Sequence, residues 1–323
     1  MKLRTVGRSG LKVSHLGLGT MTWGMETDLD EAAAQLVAFH DAGGTLVDTA
    51  ASYGYGESER ILGELIGDLV PRSDVTIATK AGITRTPEGR VVDCSRGALL
   101  RQLDQSLRKL GTDWVELWYV HYIDDSVPFD ETLAALDAAV TSGKVRYAGV
   151  SNYCGWRLGR AAAWQRAVPG RAPIVANQVR YSLIDRGVER EVVAACEALG
   201  VGMFPWSPLG GGVLTGKYRG GMPSDSRAAV GHRPDLVAVD QPGVAGIVEA
   251  VATAAEGLAT SPVAVALAWL RDRPGVAAPI LGARTLGQLT GALVSETLDL
   301  PREIRDALDD VSAPIVAYPE DVH

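Results

Sequence analysis

The chain has 323 residues, 46% hydrophobic and 22% charged, with 31 Lys and Arg against 39 Asp and Glu for a net charge of −8. That acidic balance argues against a nucleic-acid partner, because a phosphate backbone requires a basic patch. Residues 1–10 lack the apolar core of a secretion signal, and the longest apolar run, 263–270, is too short to cross a bilayer, so no membrane partner is expected.

In chain order, a hairpin is expected first, with strands 2–5 and 11–13 turning at residues 7–10. Eight short apolar runs then read as strands: 15–19, 46–48, 75–79, 115–120, 145–150, 174–178, 202–206 and 276–280. Amphipathic helix patterns lie between them at 29–41, 57–66, 97–110, 132–140, 156–168, 188–199 and 263–271, with 285–294 after the last strand. The helix 29–41 stops at Gly43-Gly44 and 97–110 at Gly111, while Ser261-Pro262 supplies a cap and first helical residue for 263–271. Two more helices, 244–258 and 301–311, stand outside the alternation. The segment 207–242 is long and rich in Gly and Pro, as functional loops are. Alternating β and α units predict a parallel sheet, and eight of them favour a (β/α)8 TIM barrel with an N-terminal hairpin and two extra helices. No linker divides the chain, so one domain over 1–323 is expected. Cys94, Cys154 and Cys196 are odd in number and lack metal-ligand spacing, which suits reduced thiols in the cytoplasm. The histidines are likewise scattered, so no metal is expected.

In such a barrel the C-terminal ends of the strands carry the chemistry. Those ends read Asp48, with Tyr53 just beyond; Thr79-Lys80; His121; Ser151-Asn152; Asn177-Gln178; and Trp206-Ser207. An Asp, a Tyr, a Lys and a His on one rim form a proton-transfer device. A phenol ionises near about 10 by itself. A neighbouring ammonium favours the phenolate, a carboxylate holds the ammonium, and a His beside the same oxygen can donate to a carbonyl. Taken singly, Asp48 with Lys80 also reads as a structural ion pair, and His121 as a hydrogen-bonded rim residue. Trp23, after the first strand, reads equally as a wall of the substrate pocket or as packing.

The chain resembles the aldo-keto reductases along nearly its whole length. The resemblance is carried by Val47-Asp48-Thr49-Ala50 with Tyr53-Gly54 and Gly56-Glu57-Ser58-Glu59, and by Ala78-Thr79-Lys80. It continues through Leu107-Arg108-Lys109-Leu110-Gly111, His121, Gly143-Lys144-Val145-Arg146-Tyr147, Asn152, Asn177-Gln178, Trp206-Ser207-Pro208-Leu209-Gly210 and Gly282-Ala283-Arg284-Thr285. It implies reduction of an aldehyde or ketone by NADPH, with Tyr53 as general acid, Lys80 and Asp48 tuning it, and His121 orienting the carbonyl. It implies that Ser151, Asn152 and Gln178 bind the nicotinamide carboxamide and that Trp206 stacks on its ring, where relatives usually carry Tyr or Phe. Ser207, Leu209, Gly210 and Lys217 would run along the pyrophosphate, with the amides of the glycine run approaching the phosphates. Gly282, Arg284 and Gln288 would take the adenosine end, while Ala292 replaces a common adenine contact. The same barrel also serves as a nucleotide-sensing regulatory subunit of potassium channels, and this is the alternative reading.

Overall fold

The computed structural model describes residues 1–221, 223 and 241–314. Most of the tail and the middle of the expected loop 207–242 therefore lie outside the described residues. The hairpin comes first, as β1 (Leu3–Thr5) antiparallel to β2 (Lys12–Ser14). Then follow β3 (Gly17–Gly19), α1 (Leu29–Asp41), β4 (Leu46–Asp48), α2 (Glu57–Leu65), β5 (Thr76–Ala81), β6 (Ile83–Thr86), β7 (Gly89–Val92) and α3 (Arg96–Leu110). Next come β8 (Val115–Val120), α4 (Phe129–Thr141), β9 (Val145–Ser151), α5 (Gly155–Arg166), β10 (Ile174–Arg180), α6 (Val192–Leu199) and β11 (Gly202–Trp206). The described chain ends with α7 (Val244–Gly257), α8 (Pro262–Arg271), β12 (Ile280–Gly282), α9 (Leu286–Leu293) and α10 (Arg302–Val311).

Eight parallel strands form one sheet in the order β11-β10-β9-β8-β5-β4-β3-β12. The edges meet through a bridge at Met203 and Val276, where Met203 N–H donates to Gly275 O at 2.9 Å and Ala277 N–H to Met203 O at 2.8 Å. With helices between the strands, this is a (β/α)8 barrel. The eighth strand is displaced from the expected 276–280. Pro279 has no N–H to give to a ladder, so pairing with β3 starts at Ile280. Residues 188–199 are not one helix either: a short 3-10 turn, Gly187–Arg190, precedes α6. The hairpin β6–β7 was not foreseen. It grows directly from the end of β5.

Alternation along the strands divides the apolar residues into two layers. Leu46, Ala78, Leu117, Tyr119, Ala176 and Phe204 fill the barrel interior, where Val6, Leu11 and Val13 of the hairpin region join them. The intervening residues, such as Val47, Ile77, Trp118 and Val120, pack against the helices. Because the period is two, Leu46 and Ala78 in the apolar layer place Asp48 and Lys80 on the same inward face, one layer nearer the C-terminal rim. Among the described residues no single helix is long and apolar enough to cross a membrane.

Candidate active site

The rim gathers two of the expected side chains, Asp48 and Tyr53, around one buried ammonium. Lys80 is fully buried. Its Nζ donates to Asp48 Oδ1 at 2.5 Å, to Thr49 O at 2.8 Å and to the Tyr53 hydroxyl at 3.3 Å. The other oxygen of Asp48 accepts from Gln178 Nε2 at 2.8 Å. Burial opposes the charge on Lys80, but Asp48 and Tyr53 outweigh it and hold the ammonium above its ordinary range. Burial pushes the Asp48 carboxyl up, against the pull of Lys80 and Gln178.

Backbone geometry sets Tyr53. Thr49 N–H donates to Ala78 O and Ala51 N–H to Lys80 O, which prolongs the β4–β5 pairing past the strand end. The chain then reverses through Gly54, Tyr55 and Gly56, all left-handed, at φ of 53°, 58° and 89°. At Gly56 the φ of 89° is what calls for glycine, since a Cβ there would meet only the flexible end of Lys109. His121 follows β8, and its ring stands edge-on to Tyr53 with centroids 6.0 Å apart. A second phenol, Tyr119, lies below, with Lys80 Nζ 5.9 Å from its ring. Burial raises the Tyr119 phenol well above its ordinary range, and it does not line the cleft. Tyr53 does line it.

A cleft of about 810 Å³ runs along this rim. Asp48, Tyr53, His121, Ser151, Asn152, Gln178, Trp206, Ser207, Leu209, Lys217, Gly282, Arg284 and Gln288 all line it, as does Ala292. Asn152, left-handed at φ 63°, donates to His121 O and Ser151 Oγ and accepts from Trp206 Nε1 at 3.1 Å. One amide therefore fixes the rim beside His121 and the edge of the Trp206 indole.

Three expectations need correction. Trp23 does not wall the cleft: it is fully buried, its indole N–H goes to Gln35 of α1, and it packs between strand and helix. Gly210 does not line the cleft either, because it faces Ile184, whose Cδ1 would stand 2.2 Å from a Cβ. The amides of the glycine run are engaged within their own turn. Gly210 N–H donates to Ser207 O, Gly211 N–H to Ser207 Oγ, and Gly212 N–H to Leu209 O. The start of α9 is similarly occupied: Arg284 N–H donates to Gln288 Oε1, Leu286 N–H to Glu31 Oε1, and Gln288 N–H to the Thr285 cap.

The sequence reading missed Arg85, Arg90, Tyr122 and Arg180, which also line the cleft. For Arg85 and Arg90 the only local signal is the turn sequence Pro87-Glu88-Gly89, whose Gly89 sits at φ 134°. Among the described residues, no group of three or more His, Cys, Asp or Glu is arranged to hold a metal ion.

Comparison with known proteins agrees with this architecture. The family model for the Aldo/keto reductase family matches residues 15–313. An uncharacterized oxidoreductase, YrpG, of Bacillus subtilis (strain 168) is 35% identical over 322 residues, covering 96% of each chain. A probable voltage-gated potassium channel subunit beta of Oryza sativa subsp. japonica is 33% identical, covering 99% of this chain and 98% of the relative. An L-glyceraldehyde 3-phosphate reductase of Escherichia coli (strain K12) is 36% identical over 233 residues, or 70% of this chain and 67% of the relative. The barrel and its polar rim define an α/β-barrel oxidoreductase acting on carbonyl groups. The chain belongs to the aldo/keto reductase family.

That family generally uses NADP(H), and the cleft fits such a group by charge and shape more than by amide donors. Trp206 offers a partly exposed indole at the proton-transfer end. Lys217 is exposed and lines the cleft, so its ammonium is accessible to a phosphate. Arg284 supplies a second cation near the start of α9, with Glu26 at 3.8 Å.

Proposed function

We propose that this protein reduces an aldehyde or ketone to an alcohol with NADPH, and that Tyr53 is the proton donor. The observation that carries this reading is the chain of contacts Asp48–Lys80–Tyr53, which ends on the one phenol of that cluster that opens into the cleft. When bound, the nicotinamide supplies the hydride. The protein's part is to hold the carbonyl and to protonate the oxygen as charge develops on it. The Tyr53 hydroxyl donates that proton, and Lys80 stabilises the phenolate left behind. Asp48 keeps Lys80 charged at a buried position, where the pairing is stronger than in solvent. His121, edge-on to Tyr53, orients the same oxygen. Ser151, Asn152, Gln178 and Trp206 would hold the nicotinamide end, Ser207, Leu209 and Lys217 the pyrophosphate, and Gly282, Arg284 and Gln288 the adenosine end. The free cysteines suit a reducing, cytoplasmic setting.

A second reading, a nucleotide-sensing subunit with slow residual turnover, is favoured by the similarity to the potassium channel subunit beta. Turnover decides between them. An enzyme with simple aldehydes and NADPH should reach at least about 1 s⁻¹, the lower range of ordinary catalysts. Tight NADPH binding with turnover far below that would favour the sensor.

A further inference from the structure

Five cations line the cleft among the described residues: Arg85, Arg90, Arg180, Lys217 and Arg284. The only carboxylate there is Asp48, which Lys80 already pairs. Two of them have carboxylate partners outside the lining, Arg180 with Asp185 at 2.9 Å and Arg284 with Glu26 at 3.8 Å, yet the lining stays positive in a chain whose net charge is −8. Lys217 and Arg284 follow β11 and β12, the two neighbours at the barrel seam, and stand at the proposed cofactor end. Arg85 and Arg90 do not. They belong to the hairpin that grows from β5, and in the ring of eight strands β5 lies opposite β11. Its neighbours are β4, which leads to Tyr53, and β8, which leads to His121. The two arginines therefore flank the proton-transfer groups on the side away from the cofactor.

Their placement within the hairpin is unfavourable by itself. Arg85 is the direct cross-strand partner of Arg90, and like charges in that relation destabilise a hairpin. No carboxylate among the described residues comes within ion-pair distance of either guanidinium. Arg90 instead lies over the ring of Tyr122, 4.5 Å from its centroid, and both line the cleft with His121. Arg180, held by Asp185 at 2.9 Å, adds charge from β10. Paired guanidinium forks match the oxygens of a carboxylate or phosphate.

We propose that the natural substrate is a carbonyl compound bearing an anionic group, a carboxylate or a phosphate, bound by Arg85 and Arg90 while its carbonyl meets Tyr53 and His121. The proposal rests on the carbonyl-reductase reading. It gives the hairpin a role in selecting substrate, and an anion between the two arginines relieves their repulsion.

The test compares kcat/KM for matched pairs: 4-carboxybenzaldehyde against benzaldehyde, and glyceraldehyde 3-phosphate against glyceraldehyde. We expect the anionic member to be preferred by roughly 10–100-fold in at least one pair, the span of one or two charge-assisted hydrogen bonds. The favoured pair identifies the anion. In Arg85→Ala/Arg90→Ala the preference should collapse, chiefly through KM. In the unaltered protein it should fall with ionic strength, which covers a variant that fails to fold. Equal kcat/KM within both pairs, or a preference that survives the double substitution, overturns the proposal and leaves the reductase reading intact. If no aldehyde is reduced, the reductase reading fails. Calorimetric binding of 4-carboxybenzaldehyde, kept by the parent and lost in the double variant, then still supports the anion site; its absence from the parent rejects it.

Discussion

At Arg284 the guanidinium has to be weighed against Glu26, 3.8 Å away and about one-third exposed, like Arg284 itself. A 2′-phosphate brings more charge than one carboxylate, and the neighbouring amides are already bonded, so discrimination falls to the side chain. A charge-assisted hydrogen bond contributes about 1.5–3 kcal/mol when well formed. Competition from Glu26 and partial exposure point to the lower end. Arg284→Ala should therefore weaken NADPH by about tenfold and NADH little, as read by quenching of intrinsic tryptophan fluorescence. Equal losses for the two cofactors would remove Arg284 from that role. At this scale the sequence was legible wherever strand alternation points a polar residue into the rim, as with Asp48, Lys80 and Gln178. It was illegible where direction depends on a loop. Trp23 follows its strand closely, yet turns toward α1 rather than the cleft. The glycine amides looked available because nothing in a sequence shows Ser207 and Leu209 closing the turn on them.

Among the elements, β9 shows how tightly the barrel interior is built. Gly149 stands beside the Tyr119 ring, and a Cβ on it would lie 2.6 Å from Cδ1 and 2.7 Å from Cε1. Tyr119 is fully buried, so its ring has little room to yield. Gly149→Ala should cost about 1–3 kcal/mol, the ordinary penalty of overpacking, measured by denaturant unfolding; a change below about 0.5 kcal/mol would mean that the interior has slack. Helices and central strands were legible because their periods of 3.6 and 2 persist over many residues. The β6–β7 hairpin was not, since it is short, polar and exposed, and buries no continuous face to reveal. The eighth strand was shifted because an apolar run does not reveal that pairing with β3 begins only past Pro279.

The whole molecule depends on ring closure, which brings residues distant in sequence to one rim: Asp48 and Gln178 are 130 positions apart and meet at 2.8 Å. The seam is tied from below as well, where Arg4 of the hairpin donates to Arg271 O and Val276 O, both at 2.7 Å. The count of βα units made a barrel legible, but closure rests on long-range contacts such as the bridge at Met203 and Val276, which no local pattern reports. The central claim is that this closed rim makes Tyr53 the proton donor to a carbonyl. It is tested most directly by steady-state NADPH oxidation with an aldehyde, comparing the parent with Tyr53→Phe, alongside NADPH titration of both proteins. Tyr53→Phe should lower kcat by about 10²–10⁴-fold, the usual contribution of a general acid, and bind NADPH as the parent does. Equal turnover in the two proteins would contradict the claim.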